Sequence, residues 1–201
     1  YDLSLEFEQG LPVAMDGKRL GPLARVEALN KIGGEDGVGR VDHIENRLFG
    51  TKVRDVYEAP AATILYAAKI SLEKMTLGPR AAHAVPRFSQ EFADLTYHGH
   101  WFTALRESLS AFFSHLMQDV VGTVRVRLYK GRVDVIGLES PTSLYRSSHS
   151  SVSGSEAQDI RAVVGWVALA SSLERHASKV RRRVRRPGDS PDSGSSNSSS
   201  R

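Results

Sequence analysis

Gly122-Thr123-Val124-Arg125-Val126-Arg127-Leu128-Tyr129-Lys130-Gly131 is the stretch on which the fold turns. Val124, Val126 and Leu128 alternate with Thr123, Arg125 and Arg127. A period of two sends one set of side chains into a core and the other into water, the pattern of a half-buried strand. Val133 and Val135 answer from beyond Lys130-Gly131, so Gly122 to Leu138 reads as a β-hairpin. The first residues repeat the pattern: Leu3, Leu5 and Phe7 alternate with Ser4, Glu6 and Glu8. Gln9-Gly10 then turns the chain into a short strand, Leu11 to Met15, and Asp16-Gly17 is a hairpin-type turn.

Helical periodicity lies between these strands. Pro22 to Ile32 places Leu23, Val26, Leu29 and Ile32 on one face, with Gly33-Gly34 as the stop. Val41 to Phe49 reads as a strand. Pro60 to Leu77 reads as a helix with the stripe Ile64, Leu65, Ala68, Leu72 and Met75, ended by Gly78-Pro79. Helices are also predicted from Ser89 to Tyr97, from Thr103 to Val120 with Thr103 as N-cap, and from Ile160 to about Val184. Strands and helices mix without regular βαβ alternation. The expected class is therefore α+β: an antiparallel sheet with packed helices, followed by a C-terminal helix and a disordered tail. Residues 1–146 read as the folded domain, 147–186 as a flexible Ser-rich segment leading into a basic helix, and 187–201 as disordered.

Composition narrows the chemistry. The chain has 201 residues and no cysteine, which excludes a disulfide scaffold, a thiolate metal site and a cysteine nucleophile. No apolar run is long enough to span a membrane. The net charge of +4 is uneven: residues 175–201 hold eight Lys/Arg and two acids, a net +6, so residues 1–174 sum to −2. The folded part is slightly acidic, and the basic end says little about its partner. The chain starts mid-strand, without an initiator Met or a signal peptide, so it reads as part of something longer.

Four clusters invite a functional reading. Gly33, Gly34, Gly37 and Gly39 make a glycine-rich loop, but they follow a helix and precede a strand, which suits a C-cap and turn better than a phosphate cradle. His98 and His100 flank Gly99 without a third ligand nearby, which favours a solvated loop over a metal site. The run Arg181 to Arg186 lacks interleaved aromatics and reads as a solvated helix end. Residues 45–58 pack Glu45, Arg47, Lys52, Arg54, Asp55, Tyr57 and Glu58 between a strand and a helix. Such density can hold a polar ligand or form a surface ion-pair network.

That last cluster carries a resemblance. Gly37-Val38-Gly39-Arg40-Val41-Asp42-His43-Ile44-Glu45-Asn46-Arg47-Leu48-Phe49-Gly50-Thr51-Lys52, then Val56-Tyr57-Glu58-Ala59-Pro60, resembles the C-terminal half of the argininosuccinate synthase family. Collinear matches follow at Leu72-Glu73-Lys74-Met75-Thr76-Leu77, Tyr97-His98-Gly99-His100-Trp101-Phe102, Gly122 to Gly131, and Glu139-Ser140-Pro141-Thr142-Ser143-Leu144-Tyr145.

The resemblance implies a cytoplasmic carbon–nitrogen ligase of arginine biosynthesis. Such an enzyme joins citrulline and aspartate with ATP, releasing AMP and pyrophosphate. It further implies that ATP, with Mg2+, and most of the aspartate sit on a separate domain with a Ser-Gly-Gly-x-Asp-x-Ser loop. The present residues lack that loop and are expected to be inactive alone. It assigns citrulline binding to Glu45 and Tyr57 and no catalytic or metal-ligating role to any residue here. It implies a homotetramer, and no membrane or nucleic-acid partner. A carboxylate suits the citrulline α-ammonium group, and a phenol suits a polar group while its ring packs on methylenes. The chain departs from the family pattern at Val53 and Asp55, where the pattern has Ser and Gly, at Leu138, where it has Arg, and after Tyr145. Asp55 adds a charge beside the site, and a strained Cβ if the position needs positive φ. These departures keep open an alternative, a non-catalytic homologue acting as an interaction module.

Overall fold

The computed structural model describes residues 1–145 and 160–185. The chain divides into two compact units, Tyr1–Arg146 and Ser147–Arg201. The first holds strands β1 (Asp2–Glu8), β2 (Leu11–Met15), β3 (Lys18–Arg19), β4 (Arg40–Asn46), β5 (Lys52–Glu58), β6 (Gly122–Tyr129) and β7 (Arg132–Glu139). Its helices are α1 (Pro22–Glu35), α2 (Pro60–Thr76), α3 (Pro79–Tyr97) and α4 (Ala104–Leu116). The class is α+β.

Five strands form an antiparallel sheet in the order β3-β2-β1-β6-β7. Two hairpins of remote sequence meet at its centre, where Leu3 pairs with Val126 and Leu5 with Val124. The alternation explains the pairing. Leu3, Leu5 and Phe7 share a buried face with Val124, Val126 and Leu128, all 3% exposed or less. Slipping the register by one residue would turn that whole set into water. On the opposite face Arg127 donates twice to Asp2, both at 2.7 Å. The turns Gln9-Gly10, Asp16-Gly17 and Lys130-Gly131 all run through positive φ, matching the tight hairpins expected there.

Helices α1 and α2 cover the apolar face, Ile64, Ala68 and Leu72 of α2 being wholly buried. Helix α1 differs from its expected extent. It passes through Gly33 and Gly34 and ends at Glu35. The stop is Gly37, at φ +71, with Gly37 N–H donating to Gly34 O at 3.0 Å and Val38 N–H to Gly33 O at 2.8 Å. These two bonds are a Schellman cap. Gly33 instead serves packing, since a Cβ there would stand 2.8 Å from Pro60 Cβ. The buried stripe is Arg25, Leu29 and Gly33, while Leu23 is exposed. Arg25 donates to the carbonyls of Val13 and Leu20, tying α1 to β2 and to the link that follows β3.

Helix α3 begins ten residues before the expected Ser89 and continues through Pro86. Pro86 removes one backbone bond, but Val85 is buried and Ala81 and Ala82 pack on the core, which holds the helix together across it. Helix α4 is shorter than expected and ends at Leu116, although Thr103 caps it as predicted, its side chain accepting from Arg106 N–H. The second unit holds α5 (Ile160–Ala170) and α6 (Ser172–Arg185) in place of one long helix. At the junction Ser171 Oγ donates to Val167 O at 2.6 Å. The Ser-rich segment around 147–155 and the tail 187–201 lie outside the described residues. No described helix is long and apolar enough to cross a membrane.

Candidate functional site

Among the described residues strands β4 and β5 pair only with each other, from Arg40–Glu58 to Asn46–Lys52. The segment 45–58, expected to link a strand to a helix, is therefore the second half of a hairpin, and β4 stops at Asn46 instead of Phe49. Residues 52–58 carry polar groups on both faces, so the period-two signal of a half-buried strand is missing. The available clues were the β-formers Val53, Val56 and Tyr57 and the turn at Gly50, φ +78. The hairpin is anchored at its base. Ala59 N–H donates to Gly39 O at 3.0 Å, and a Cβ on Gly39 would sit 2.6 Å from the Ala59 carbonyl carbon. Beyond that base both faces are open: Ile44 and Val56 are exposed on one, Val41 and Tyr57 on the other.

One face gathers His43, Glu45 and Arg47 with Asp55 and Tyr57. Tyr57 Oη donates to Glu45 Oε1 at 2.8 Å and lies 3.3 Å from Asp55 Oδ2. Arg47 Nη1 stands 3.3 Å from Glu45 Oε1, and its Nη2 donates to Asp55 Oδ2. His43 Nε2 is 3.4 Å from Glu45 Oε2, and its ring centroid is 5.5 Å from that of Tyr57. The structure thus brings together the two expected site residues, twelve apart in sequence. His43 joins them unanticipated; the spacing His43-x-Glu45-x-Arg47, a polar row with period two, was the signal for it. On the other face Arg54 makes two bonds to Asp42, at 2.9 and 2.6 Å.

The cluster sets its own ionisation. The Tyr57 hydrogen bond holds the Glu45 carboxyl below its ordinary range, with the nearby His43 and Arg47 acting the same way. The Glu45 carboxylate in turn pushes the Tyr57 phenol up to about 12, with burial and the Asp55 charge adding to it. At neutral pH Glu45 is a carboxylate and Tyr57 a neutral phenol. Both groups are shifted away from neutrality, which suits holding a ligand and does not suit proton transfer at pH 7. Asp55 lies in extended strand and not at positive φ, so its Cβ is unstrained.

The glycine motifs resolve as helix caps. The amides of Gly37 and Val38 are spent on the α1 cap and cannot cradle phosphate. Gly99, φ +76, closes α3 with the same cap, His100 N–H donating to Leu95 O at 2.8 Å. Among the described residues no group of three or more His, Cys, Asp or Glu side chains is placed to hold a metal. Of the basic run, Arg181 is exposed on α6 and Arg186 lies outside the described residues.

Fold and site together define an α+β module that displays a carboxylate–phenol pair on a projecting hairpin. Residues 1–177 match the family described as arginosuccinate synthase C-terminal domain, and the chain belongs to that family. It is 44% identical over 169 residues to the argininosuccinate synthase of Clostridium kluyveri, covering 84% of this chain and 42% of that protein. Against the chloroplastic argininosuccinate synthase of Arabidopsis thaliana it is 43% identical over 167 residues, 83% of this chain and 34% of the relative. With that of Desulfitobacterium hafniense strain DCB-2 it shares 48% over 143 residues, 71% of this chain and 36% of the relative. The chain thus spans less than half the length of these relatives.

Proposed function

We propose that this chain is the citrulline-holding part of an ATP-dependent ligase that joins citrulline to aspartate and releases AMP and pyrophosphate. Glu45 pairs with the citrulline α-ammonium group, and Tyr57 makes a polar contact while its ring covers the methylenes. Their contribution is orientation, setting the ureido end where chemistry occurs elsewhere. The observation that carries this reading is the 2.8 Å bond between Tyr57 and Glu45, which keeps the carboxylate ionised and aimed on an open face. ATP, with Mg2+, and aspartate belong to a companion domain, since the only glycine-rich loop described here has its Gly37 and Val38 amides occupied. The whole protein is read as a cytoplasmic homotetramer, in which the exposed Trp166, Leu169 and Leu173 of the second unit are apolar surface for assembly to cover.

In the native protein Glu45→Gln should weaken citrulline binding about tenfold or more, the loss of one charge-assisted bond, while ATP binding stays unchanged. Equal citrulline affinity in both proteins, measured by calorimetry, would sink the proposal. The alternative of a non-catalytic interaction module draws on Asp55, which engages Arg47 and Tyr57 where the family pattern has glycine. It requires citrulline not to bind the native protein at all, and the same titration decides between the two.

A further inference from the structure

We propose that Asp55 is a positioning residue, which draws the Arg47 guanidinium to itself and thereby leaves the Glu45 carboxylate open to the ammonium group of an amino-acid ligand. This rests on the citrulline reading of Glu45 and Tyr57. Two carboxylates share Arg47 and Tyr57 and divide them, while His43 Nε2 faces Glu45 Oε2 alone at 3.4 Å. Arg47 is nearer Asp55: its Nη2 donates to Asp55 Oδ2, while its Nη1 is 3.3 Å from Glu45 Oε1. Tyr57 ranks them the other way, at 2.8 Å from Glu45 and 3.3 Å from Asp55. Glu45 is left with a neutral phenol as its closest donor, and with Arg47 Nη1 at 3.3 Å and His43 Nε2 at 3.4 Å as longer contacts.

Removing Asp55 changes both geometry and charge. A planar guanidinium favours a two-pronged grip on a single carboxylate. Freed from Asp55, Arg47 has Glu45 as its nearest acidic neighbour on this face, and a two-pronged grip takes one lone pair on each oxygen and sets a positive charge where an incoming ammonium must approach. With the phenol neutral, Glu45, Asp55 and Arg47 sum to one negative charge. Without Asp55 the sum is zero. The negative cluster attracts an ammonium head and holds off a carboxylate, so it favours amino acids presented amine first. Asp55 lies on β5 opposite His43, within the same rigid ladder as Tyr57, and can set Arg47 without touching ligand.

The test is a citrulline titration of the native protein and four variants, with Nα-acetylcitrulline, which lacks the ammonium, as a second probe. Asp55→Ala and the isosteric Asp55→Asn should each weaken citrulline about fivefold, the size of one partly exposed charge pair, and should narrow the preference for citrulline over its acetyl derivative. Asp55→Ala combined with Arg47→Gln restores the single negative charge and frees Glu45, so affinity should return to within about twofold of the parent. Unchanged binding in both Asp55 variants, or failure of the double variant to recover, overturns the inference. Glu45→Gln separates the two levels: if it leaves citrulline binding intact, the citrulline reading itself fails. If it weakens binding while the Asp55 variants do not, only the role of Asp55 fails. Should Asp55→Ala disturb folding, Asp55→Asn keeps the side-chain shape and carries the test alone.

Discussion

Gly33 and Gly34 are neighbours in one helix, yet alanine should act on them with opposite sign. Both lie in the last turns of α1, where glycine costs about 1 kcal/mol relative to alanine through backbone entropy. At Gly34 nothing stands within 4 Å of an added Cβ, so that cost is recovered and Gly34→Ala should stabilise by about 0.5–1 kcal/mol. At Gly33 the added Cβ meets Pro60 Cβ at 2.8 Å and Ile64 Cδ1 at 2.9 Å. Carbon pairs sit best at roughly 3.5–4.0 Å, so α1 must retreat from α2 by about 1 Å or distort. Overpacking of that kind costs about 2 kcal/mol, against a helix gain of about 1, leaving Gly33→Ala destabilised by about 1 kcal/mol. The two variants should therefore differ by roughly 2 kcal/mol in urea unfolding followed by far-ultraviolet circular dichroism. A shift of the same sign for both would refute the close approach of α1 and α2. The clash also predicts partial recovery of Gly33→Ala when Ile64 is shortened to Val, because one of its two contacts is with the Ile64 terminal methyl.

Leu5 is fully buried in β1, opposite Met15 and Val124, and Leu5→Ala should cost about 3 kcal/mol through the cavity it leaves, measured by the same unfolding curve. Tyr57 should keep its proton until about pH 12, and Glu45→Gln should bring its ionisation back toward 10.0, read from the tyrosine ζ-carbon resonance assigned with Tyr57→Phe. Because the folded value lies above the unfolded one, the stabilisation from this pair is complete below pH 10.0 and fades as the pH rises through about 12. A Tyr57 resonance that titrates at the ordinary value would contradict the hydrogen bond. Thr103→Ala removes the α4 cap and should cost about 1 kcal/mol, with faster amide exchange confined to the first turn of that helix.

The elements that the residues announced are those whose signal is local. β1 and β6 alternate cleanly, β7 does so from Arg132 to Val135, and the turns at Gln9-Gly10, Asp16-Gly17 and Lys130-Gly131 put a polar residue before glycine. β5 was not legible, because its pattern reflects two open faces instead of one buried face. The end of α1 was misplaced for a related reason: Gly33-Gly34 looks like a stop, and only the neighbouring helix shows that Gly33 is small for packing. Pro86 hid the first half of α3 likewise, since its local cost is visible in sequence and the compensating burial of Val85 is not.

By itself, the sequence determined the α+β class, the sheet's buried rows, the family, and the two residue types at the candidate site. Each of these rests on spacing along the chain, through hydrophobic periodicity, turn chemistry and collinear motifs. The tertiary structure alone decided that residues 52–58 are a strand and that Glu45 and Tyr57 touch. It also decided that His43, Arg47 and Asp55 complete the cluster. Tyr57 lies opposite Val41 in the ladder, four residues from Glu45. Its hydroxyl reaches Glu45 because a long side chain crosses a twisted two-stranded ladder diagonally. That contact depends on register and twist together, and neither is written in the spacing of twelve residues.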